Sequence, residues 1–177
     1  ATSYTETFET VPVPKDTAVA GFTQAGITYT GFAGSPTPNV FVTSPGYTNY
    51  GAGLNPTTTS ILAANGDEDI LVSFAGAVHA VGFDAYYNGL GPGTVDFFGG
   101  ATLLGSITYN GPAVLGLAGY VDAGSSITSL RWTTTMGGQL NTGIDNVTVA
   151  AVPEPETYAM LLAGLGLLGF VVRRRSA

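Results

Sequence analysis

Short β-forming runs broken by glycine and proline are the feature that most constrains the fold of this chain. From residue 2 to residue 149, segments rich in Val, Ile, Thr, Tyr and Phe alternate with clusters of Gly, Pro, Asn and Asp. No long helical period interrupts them. Many short strands separated by turn residues are typical of an antiparallel sandwich or barrel. The pattern therefore predicts an all-β body of about eleven strands.

Individual strands and turns can be placed within this pattern. The first run, 4–11, predicts a strand, and alternation of apolar and other residues predicts the clearest strand over 77–87. Residues 24–26 predict a hairpin turn between runs 18–23 and 27–32, and Gly99-Gly100 predicts another before 103–109. The triplet 65–67 (Asn-Gly-Asp) is a further turn signal.

Charge is scarce and unevenly distributed. Before Val152 there are ten acidic residues against Lys15 and Arg131, so the body carries a net charge of −8. Such a body repels phosphate backbones, and we expect no nucleic-acid binding. The chain has no cysteine, which excludes disulfides and thiolate chemistry. Ala1 is the kind of small residue that remains after removal of a secretory leader, and we expect export.

The last 26 residues, 152–177, differ from the body and predict a second unit after a domain spanning 1–151. Pro153, Glu154 and Pro155 form a rigid break. Fifteen uncharged residues follow, 158–172, and predict an apolar helix of roughly 22 Å. The tail closes with a basic stop made of three residues: Arg173, Arg174 and Arg175.

This order of break, apolar helix and basic cluster resembles the PEP-CTERM sorting signal. The resemblance implies recognition by an exosortase-type processing enzyme. It also implies insertion in the inner membrane before processing, with the arginines on the cytoplasmic side. The final destination would be the envelope, cell surface or extracellular matrix of a two-membrane bacterium. Both cleavage and retention of the tail are compatible with this resemblance.

The body has a resemblance of its own. The segments 81–84 (Val-Gly-Phe-Asp), 104–106 (Leu-Gly-Ser), 127–132 (Ile-Thr-Ser-Leu-Arg-Trp) and 144–149 (Ile-Asp-Asn-Val-Thr-Val) look like the jelly-roll-like β-sandwich of exported bacterial proteins. Sugar-binding members of that class often hold a structural calcium ion between their first and last strands. By this resemblance the possible calcium ligands are Glu6 or Glu9 together with Asp145.

Aromatic residues beside glycine-rich loops suggest a platform for sugars. Aromatic faces stack on the C–H groups of pyranose rings, while Asn and Asp side chains bond to the hydroxyls. The residues of this possible platform are Tyr47, Tyr50, Tyr86, Tyr87 and Asn88. Tyrosine is also common at sandwich edges without any ligand, so packing is the competing interpretation.

Catalytic patterns are weak. His79 is the single histidine, and pairing it with Ser73 or Asp84 would suggest a nucleophilic site, yet no Gly-x-Ser-x-Gly elbow is present. The acidic cluster 67–69 could support glycoside hydrolysis or hold calcium, but it sits at a turn where a solvated surface is the simpler interpretation. We therefore predict a protein that is not an enzyme.

Two functions follow from these features. The first is an exported structural protein of the bacterial surface or matrix that assembles with itself into a filament or sheath. Strand addition by the N-terminal run 2–10, or packing of the tail helices, would join the copies. The alternative is a module that binds matrix polysaccharide.

Overall fold

The computed structural model of the protein describes residues 3–32, 39–49, 52–53, 58–65, 69–87, 92–110, 114–122, 124, 126–134, 142–150 and 164–165. Within these ranges the chain forms fourteen β-strands. Their bounds are β1 Ser3–Glu6, β2 Gly21–Gln24, β3 Ile27–Gly31, β4 Asn39–Thr43, β5 Thr48–Asn49, β6 Ala52–Gly53, β7 Ile61–Asn65, β8 Ile70–Val78, β9 Ala80–Tyr87, β10 Gly93–Gly99, β11 Thr102–Tyr109, β12 Val114–Val121, β13 Ile127–Thr134 and β14 Thr142–Ala150.

Two six-stranded antiparallel sheets form a sandwich, as the strand pattern predicts. Sheet I has the order β12-β9-β14-β7-β4, and β1 also pairs with β14. Sheet II has the order β11-β10-β13-β8-β3-β2. The eight strands from β7 to β14 pass back and forth between the two sheets, which is connectivity of the jelly-roll type. The short strands β5 and β6 pair with each other.

One hydrophobic core lies between the sheets. Alternate residues of each strand point inward, so that β9 contributes Val81, Phe83 and Ala85, while β13 contributes Leu130 and Trp132. Side chains from both sheets therefore belong to a single cluster that is fully closed to solvent. Because period-2 alternation fixes which residues face inward, it also fixes which residues face out on each sheet.

The two predicted hairpins are confirmed. Strands β2 and β3 pair around a turn in which Ala25 (φ 48°) and Gly26 (φ 78°) both adopt left-handed backbone angles, as a two-residue turn of type I′ requires. Strands β10 and β11 pair around a turn where Gly100 has φ 62°. At these positions glycine is favoured because it carries no Cβ.

The described residues form fourteen strands rather than the predicted number of about eleven, and two predicted strands have different bounds. The first strand ends at Glu6 rather than continuing to residue 11, because the Glu6 carboxylate accepts a hydrogen bond from the Phe8 N–H (2.9 Å) and Phe8 turns to φ 56°. The predicted strand over 77–87 is divided at His79, with β8 in sheet II before it and β9 in sheet I after it.

The C-terminal tail lies almost entirely outside the described residues. Gly164 and Leu165 alone are described there, in helical conformation and exposed. Two residues do not test a fifteen-residue helix, which therefore stays a prediction, as does the domain boundary at 151. In the part of the chain that the structure describes, no helix is long and apolar enough to cross a membrane.

Candidate functional site

The outer face of sheet I carries a group of polar side chains beside an exposed strand. In β9 the inward residues Phe83 and Ala85 are buried in the core, so Asp84 and Tyr86 point outward. Both outward side chains are partly buried. They lie in the interior of the sheet, because β9 pairs with β12 on one side and with β14 on the other.

A β-bulge in β14 brings further polar groups to the same place. Asp145 is the register partner of Asp84, and the register then shifts before Thr148. Asn146 lies in the bulge with φ 50°. Its Nδ2 donates a hydrogen bond to Asp84 Oδ2 at 2.7 Å. The bulge thereby turns an asparagine amide towards a carboxylate on the neighbouring strand.

Asp145 is almost completely buried, with a relative exposure of 1%, and is held by two donors. Thr59 Oγ1 donates to Asp145 Oδ2 (2.9 Å), and the backbone N–H of Asn146 donates to Oδ1 (2.7 Å). We call Asp84, Tyr86, Asp145 and Asn146 the Tyr86 site.

Burial and negative charge act together on the Tyr86 site. Burial, followed by the charges of Asp145 and Asp84, raises the pKa of Tyr86 to about 12. Burial also raises the pKa of Asp145, against the hydrogen bonds from Asn146 and Thr59. The Tyr86 phenol therefore keeps its proton at neutral pH and can donate a hydrogen bond. Carboxylate acceptors beside a phenol donor suit a ligand rich in hydroxyl groups.

An uncharged edge strand borders the Tyr86 site. Leu117 of β12 is the register partner of Asp84 and is 78% exposed, and Val121 on the same face is 70% exposed. Gly119 lies between them, opposite Gly82. Within the described residues β12 pairs only with β9, so its other edge is open. We call the segment Val114–Val121 with this open edge the β12 edge.

Of the predicted sugar platform, the structure describes the side chains of Tyr86 and Tyr47, so the platform as a whole stays a prediction. Tyr86 lies in the site just described. Tyr47 packs against Phe41, with ring centroids 5.8 Å apart in an edge-to-face contact, and Phe41 lies in the same cross-strand row of sheet I as Tyr86. The backbone of Tyr87 belongs to β9, whereas Tyr50 and Asn88 lie outside the described residues.

The predicted calcium ligands lie in two places. Glu6 points to the core side of sheet I, where Tyr4 Oη donates to it at 2.7 Å. Asp145 faces out, so these two carboxylates do not form one ligand set. Among the described residues, no group of three or more His, Cys, Asp or Glu side chains could hold a metal ion.

Glu9, the other predicted ligand, does approach the segment that holds Asp145. It accepts hydrogen bonds from the N–H (2.8 Å) and Oγ (3.2 Å) of Ser60, next to Thr59. Lys15 Nζ lies 3.4 Å from Glu9 Oε2 and 2.6 Å from Ser60 Oγ. A lysine ammonium thus already supplies positive charge here, and calcium binding stays a prediction.

The remaining catalytic patterns find no geometric support in the described residues. Ser73 faces out from sheet II and Asp84 from sheet I, so the sandwich separates them. His79 Nδ1 instead lies 3.1 Å from the carbonyl oxygen of Asp122. Residues 67 and 68 of the acidic cluster lie outside the described residues, as do the three sorting-motif residues and the three arginines.

Sequence reasoning missed the roles of Asn146 and Thr59. Asn146 belongs to the pattern Asn-Val-Thr, and an asparagine before a β-branched run is a weak signal for a left-handed bulge. No local signal connects Thr59 with Asp145, which is 86 residues away.

Comparison with known proteins identifies the tail. The PEP-CTERM protein-sorting motif matches residues 151–175. No curated protein matches the chain. This motif indicates export to the cell envelope or surface and implies processing by an exosortase.

Solved structures similar to this one are β-sandwich domains. The K2 cleaved adhesin domain of Lys-gingipain has a TM-score of 0.51 at 16% identity, covering 85% of this chain and 98% of that one. A mutant of a family 29 carbohydrate-binding module has a TM-score of 0.40 at 11% identity, covering 88% and 99% of the two chains. A CBM35 from Paenibacillus barcinonensis has a TM-score of 0.38 at 18% identity, covering 86% and 100%.

Proposed function

We propose that the protein is a non-enzymatic structural protein of the bacterial surface or extracellular matrix that assembles with itself through the β12 edge. The observation that carries this proposal is the β12 edge itself, a strand of eight residues without charge or proline whose outer side pairs with no described residue. Natural sheets protect such edges with lysine, proline, bulges or a covering segment. An open, apolar edge is a template for pairing with another strand.

The partner we propose is the same strand of a second copy. The body carries a net charge of −8, so two copies repel each other except where a neutral surface meets another neutral surface. If Ala118 lies on a two-fold axis, antiparallel pairing of two β12 strands places Leu117 of each copy opposite Gly119 of the other. The leucine side chain then covers the space that glycine leaves free.

The sorting tail fits this role. It would hold the protein in the inner membrane of a two-membrane bacterium until the exosortase acts, which concentrates copies before release. The intact mass of protein recovered from the cell surface tests this step. A mass ending near Pro153 supports sorting and removal, whereas a mass that includes Arg175 means that the helix is retained.

Assembly is tested with the full chain in mild detergent, by electron microscopy and sedimentation velocity. We expect assemblies from the natural chain, and dispersed protein from the double variant Leu117→Lys/Val121→Lys. Leu103→Lys is the matched control, because Leu103 is 54% exposed on the edge strand of the other sheet. It should assemble normally. A monomeric natural chain, or unchanged assembly of the double variant, would refute the proposal.

The second candidate function is polysaccharide binding at the Tyr86 site. It is favoured by the protonated phenol of Tyr86 beside the Asp84 carboxylate and the Asn146 amide, a set that matches sugar hydroxyls. Tyr86→Ala should abolish binding on a glycan array, and Tyr86→Phe should weaken it. Arrays with and without Ca²⁺ also test the calcium prediction. Absence of binding in both conditions excludes this function.

A further inference from the structure

Arg131, on the outer face of sheet II, forms no ion pair within the described residues. Arg131 lies on β13 between Leu130 and Trp132, both of which are fully buried in the core, so its side chain points outward. Strand β13 lies between β10 and β8 in the interior of the sheet, so Arg131 sits near the middle of a sheet face.

The guanidinium group of Arg131 is positioned by an aromatic ring. Its central carbon lies 4.6 Å from the centroid of the Phe32 ring. The cross-strand partner of Arg131 on β10 is Asp96, yet the Asp96 carboxylate accepts a hydrogen bond from Ser106 Oγ at 2.5 Å instead. Within the described residues Lys15–Glu9 is the single ion pair, so Arg131 has no carboxylate partner there.

The donors of Arg131 are therefore uncommitted within the part of the chain that the structure describes. The Nε atom is buried and has no hydrogen-bond acceptor. The guanidinium lies over the Phe32 ring, and a guanidinium positioned in this way is suited to a planar anion. A carboxylate that approached Arg131 could accept two parallel hydrogen bonds from it.

Hydroxyl groups surround this position. Ser129 lies two residues before Arg131 on the same face. Ser73 on β8 is the register partner of Ser129. Thr30 on β3 is the register partner of Leu71, which itself lies opposite Arg131. All three side chains are partly buried on the outer face of sheet II, and a hydroxyl group can both donate and accept a hydrogen bond.

We propose that this face binds a carboxylated polysaccharide, with the carboxylate of a uronic acid on the Arg131 guanidinium and the sugar hydroxyls on Ser129 and Ser73. A sheet face is nearly flat and lets an extended chain lie across several strands, which are spaced about 4.8 Å apart. Hydroxyl groups on the same face, those of Ser129, Ser73 and Thr30, favour a polyol over a peptide.

This Arg131 site is independent of the functions proposed above. It lies on sheet II, whereas the β12 edge and the Tyr86 site lie on the opposite side of the sandwich in sheet I. Loss of self-assembly would leave it intact, and loss of Arg131 would leave assembly intact.

The test uses the full chain in detergent, in a background where Arg173, Arg174 and Arg175 are changed to Gln so that the tail cannot hold a polyanion. The probe is an oligogalacturonate, titrated calorimetrically beside its methyl ester. We expect binding of the acid but not of the ester. Arg131→Gln should lose about tenfold or more in affinity, because charge-assisted hydrogen bonds disappear. Arg131→Lys should lose less, because it keeps the charge.

Two further variants sharpen the test. Asp96→Asn should strengthen binding, because it removes a negative charge beside the ligand while keeping an acceptor for Ser106. Ser129→Ala should weaken binding without unfolding the protein, which covers the case where Arg131→Gln fails to fold. The proposal is overturned if the oligogalacturonate does not bind, if its methyl ester binds equally well, or if poly-glutamate binds in its place.

Discussion

The two edges of sheet I differ, because another segment of the chain covers the β4 edge and no described residue covers the β12 edge. At the β4 edge, Val19 and Val40 exchange two backbone hydrogen bonds of 2.9 Å, and the Asp16 N–H donates to the Val42 carbonyl at 2.8 Å. At the β12 edge no described residue plays this part, and Leu117 and Val121 remain exposed. Because one edge of sheet I is covered and the other is open, a second copy can pair with this sheet at the β12 edge.

Hydrogen bonds between Asp16 and Ser44 fix the segment that covers the β4 edge. Asp16 adopts φ 57°, and its carboxylate accepts hydrogen bonds from the N–H (2.7 Å) and Oγ (2.6 Å) of Ser44. These bonds fix the segment that runs beside β4. Aspartate suits the position because its short side chain tolerates left-handed backbone angles and bonds to nearby backbone groups.

The position of the open β12 edge is fixed by contacts that β12 makes with sheet II. Tyr120 of β12 stacks on Phe97 of sheet II with ring centroids 5.0 Å apart, and its hydroxyl donates to the Leu104 carbonyl at 2.7 Å. This contact joins the edge strands of the two sheets. The β12 edge is therefore held in a defined position, although no described residue pairs with its outer hydrogen-bonding groups.

The largest effect is expected from Tyr120→Ala, which breaks the contact that fixes the open edge. We expect a loss of about 3 kcal/mol in the free energy of unfolding, because a large packed ring is removed. Tyr120→Phe should cost about 1 kcal/mol, the value of one hydrogen bond. Urea denaturation measures both. Equal losses for the two variants would mean that the ring packing contributes nothing.

A somewhat smaller effect is expected from Gly105→Ala on the neighbouring strand. A Cβ atom at this position would lie 2.5 Å from Cε2 of Tyr120, so the ring must shift. We expect a loss of about 1–3 kcal/mol, typical of overpacking. Gly100→Asn is the control, because nothing lies near its Cβ and Asn tolerates its positive φ. Melting temperatures that decrease equally in both variants would contradict this account.

At the covered edge, Asp16→Ala should cost about 1–2 kcal/mol, because two hydrogen bonds are lost and alanine is strained at positive φ. Asp16→Asn should cost less. Amide exchange of Val40 should accelerate in the alanine variant, since the Val40 N–H donates to Val19 in this segment. Unchanged exchange at Val40 would show that Asp16 does not hold the cover in place.

The smallest effect concerns pH. The hydrogen bond from the Ser60 backbone, together with the charge of Lys15, holds the pKa of Glu9 below its usual value. A lowered pKa in the folded state means stability that is present at neutral pH and is lost as pH falls through that pKa. Glu9→Gln should therefore be slightly less stable than the natural chain at pH 7, and the difference should shrink as pH falls below the usual glutamate pKa and through the lowered pKa of Glu9. A difference that does not shrink as the pH falls would contradict the assignment.

Local patterns predicted much of the fold. The alternation in β9 placed Asp84 and Tyr86 on the outer face, and glycine placed the hairpin turns, because both signals depend on neighbouring residues alone. The end of the first strand was not predictable in this way. A carboxylate two residues away turns Phe8 into the core at positive φ, against the ordinary preference of an aromatic residue.

The sequence singled out Tyr86, Asp84 and Asp145 for three separate roles and did not predict that they lie together. Tyr86 was recognisable as an aromatic residue next to a loop, but the Asp84–Asp145 juxtaposition arises from pairing between strands about sixty residues apart. The division of strands between sheets is equally non-local. The turn signal after β7 looks like that of a hairpin, yet β7 and β8 belong to different sheets.

The pairing of the first strand with the last has a mechanical consequence. Ser3 lies opposite Ala150, immediately before the sorting motif that begins at residue 151. A pull on the tail is therefore applied to β14, which is bonded to β9 on one side and to β1 and β7 on the other. Force along a central strand loads its ladders in shear, so that many hydrogen bonds must break at once. The fold thus presents a strong point of attachment where a surface protein meets its anchor.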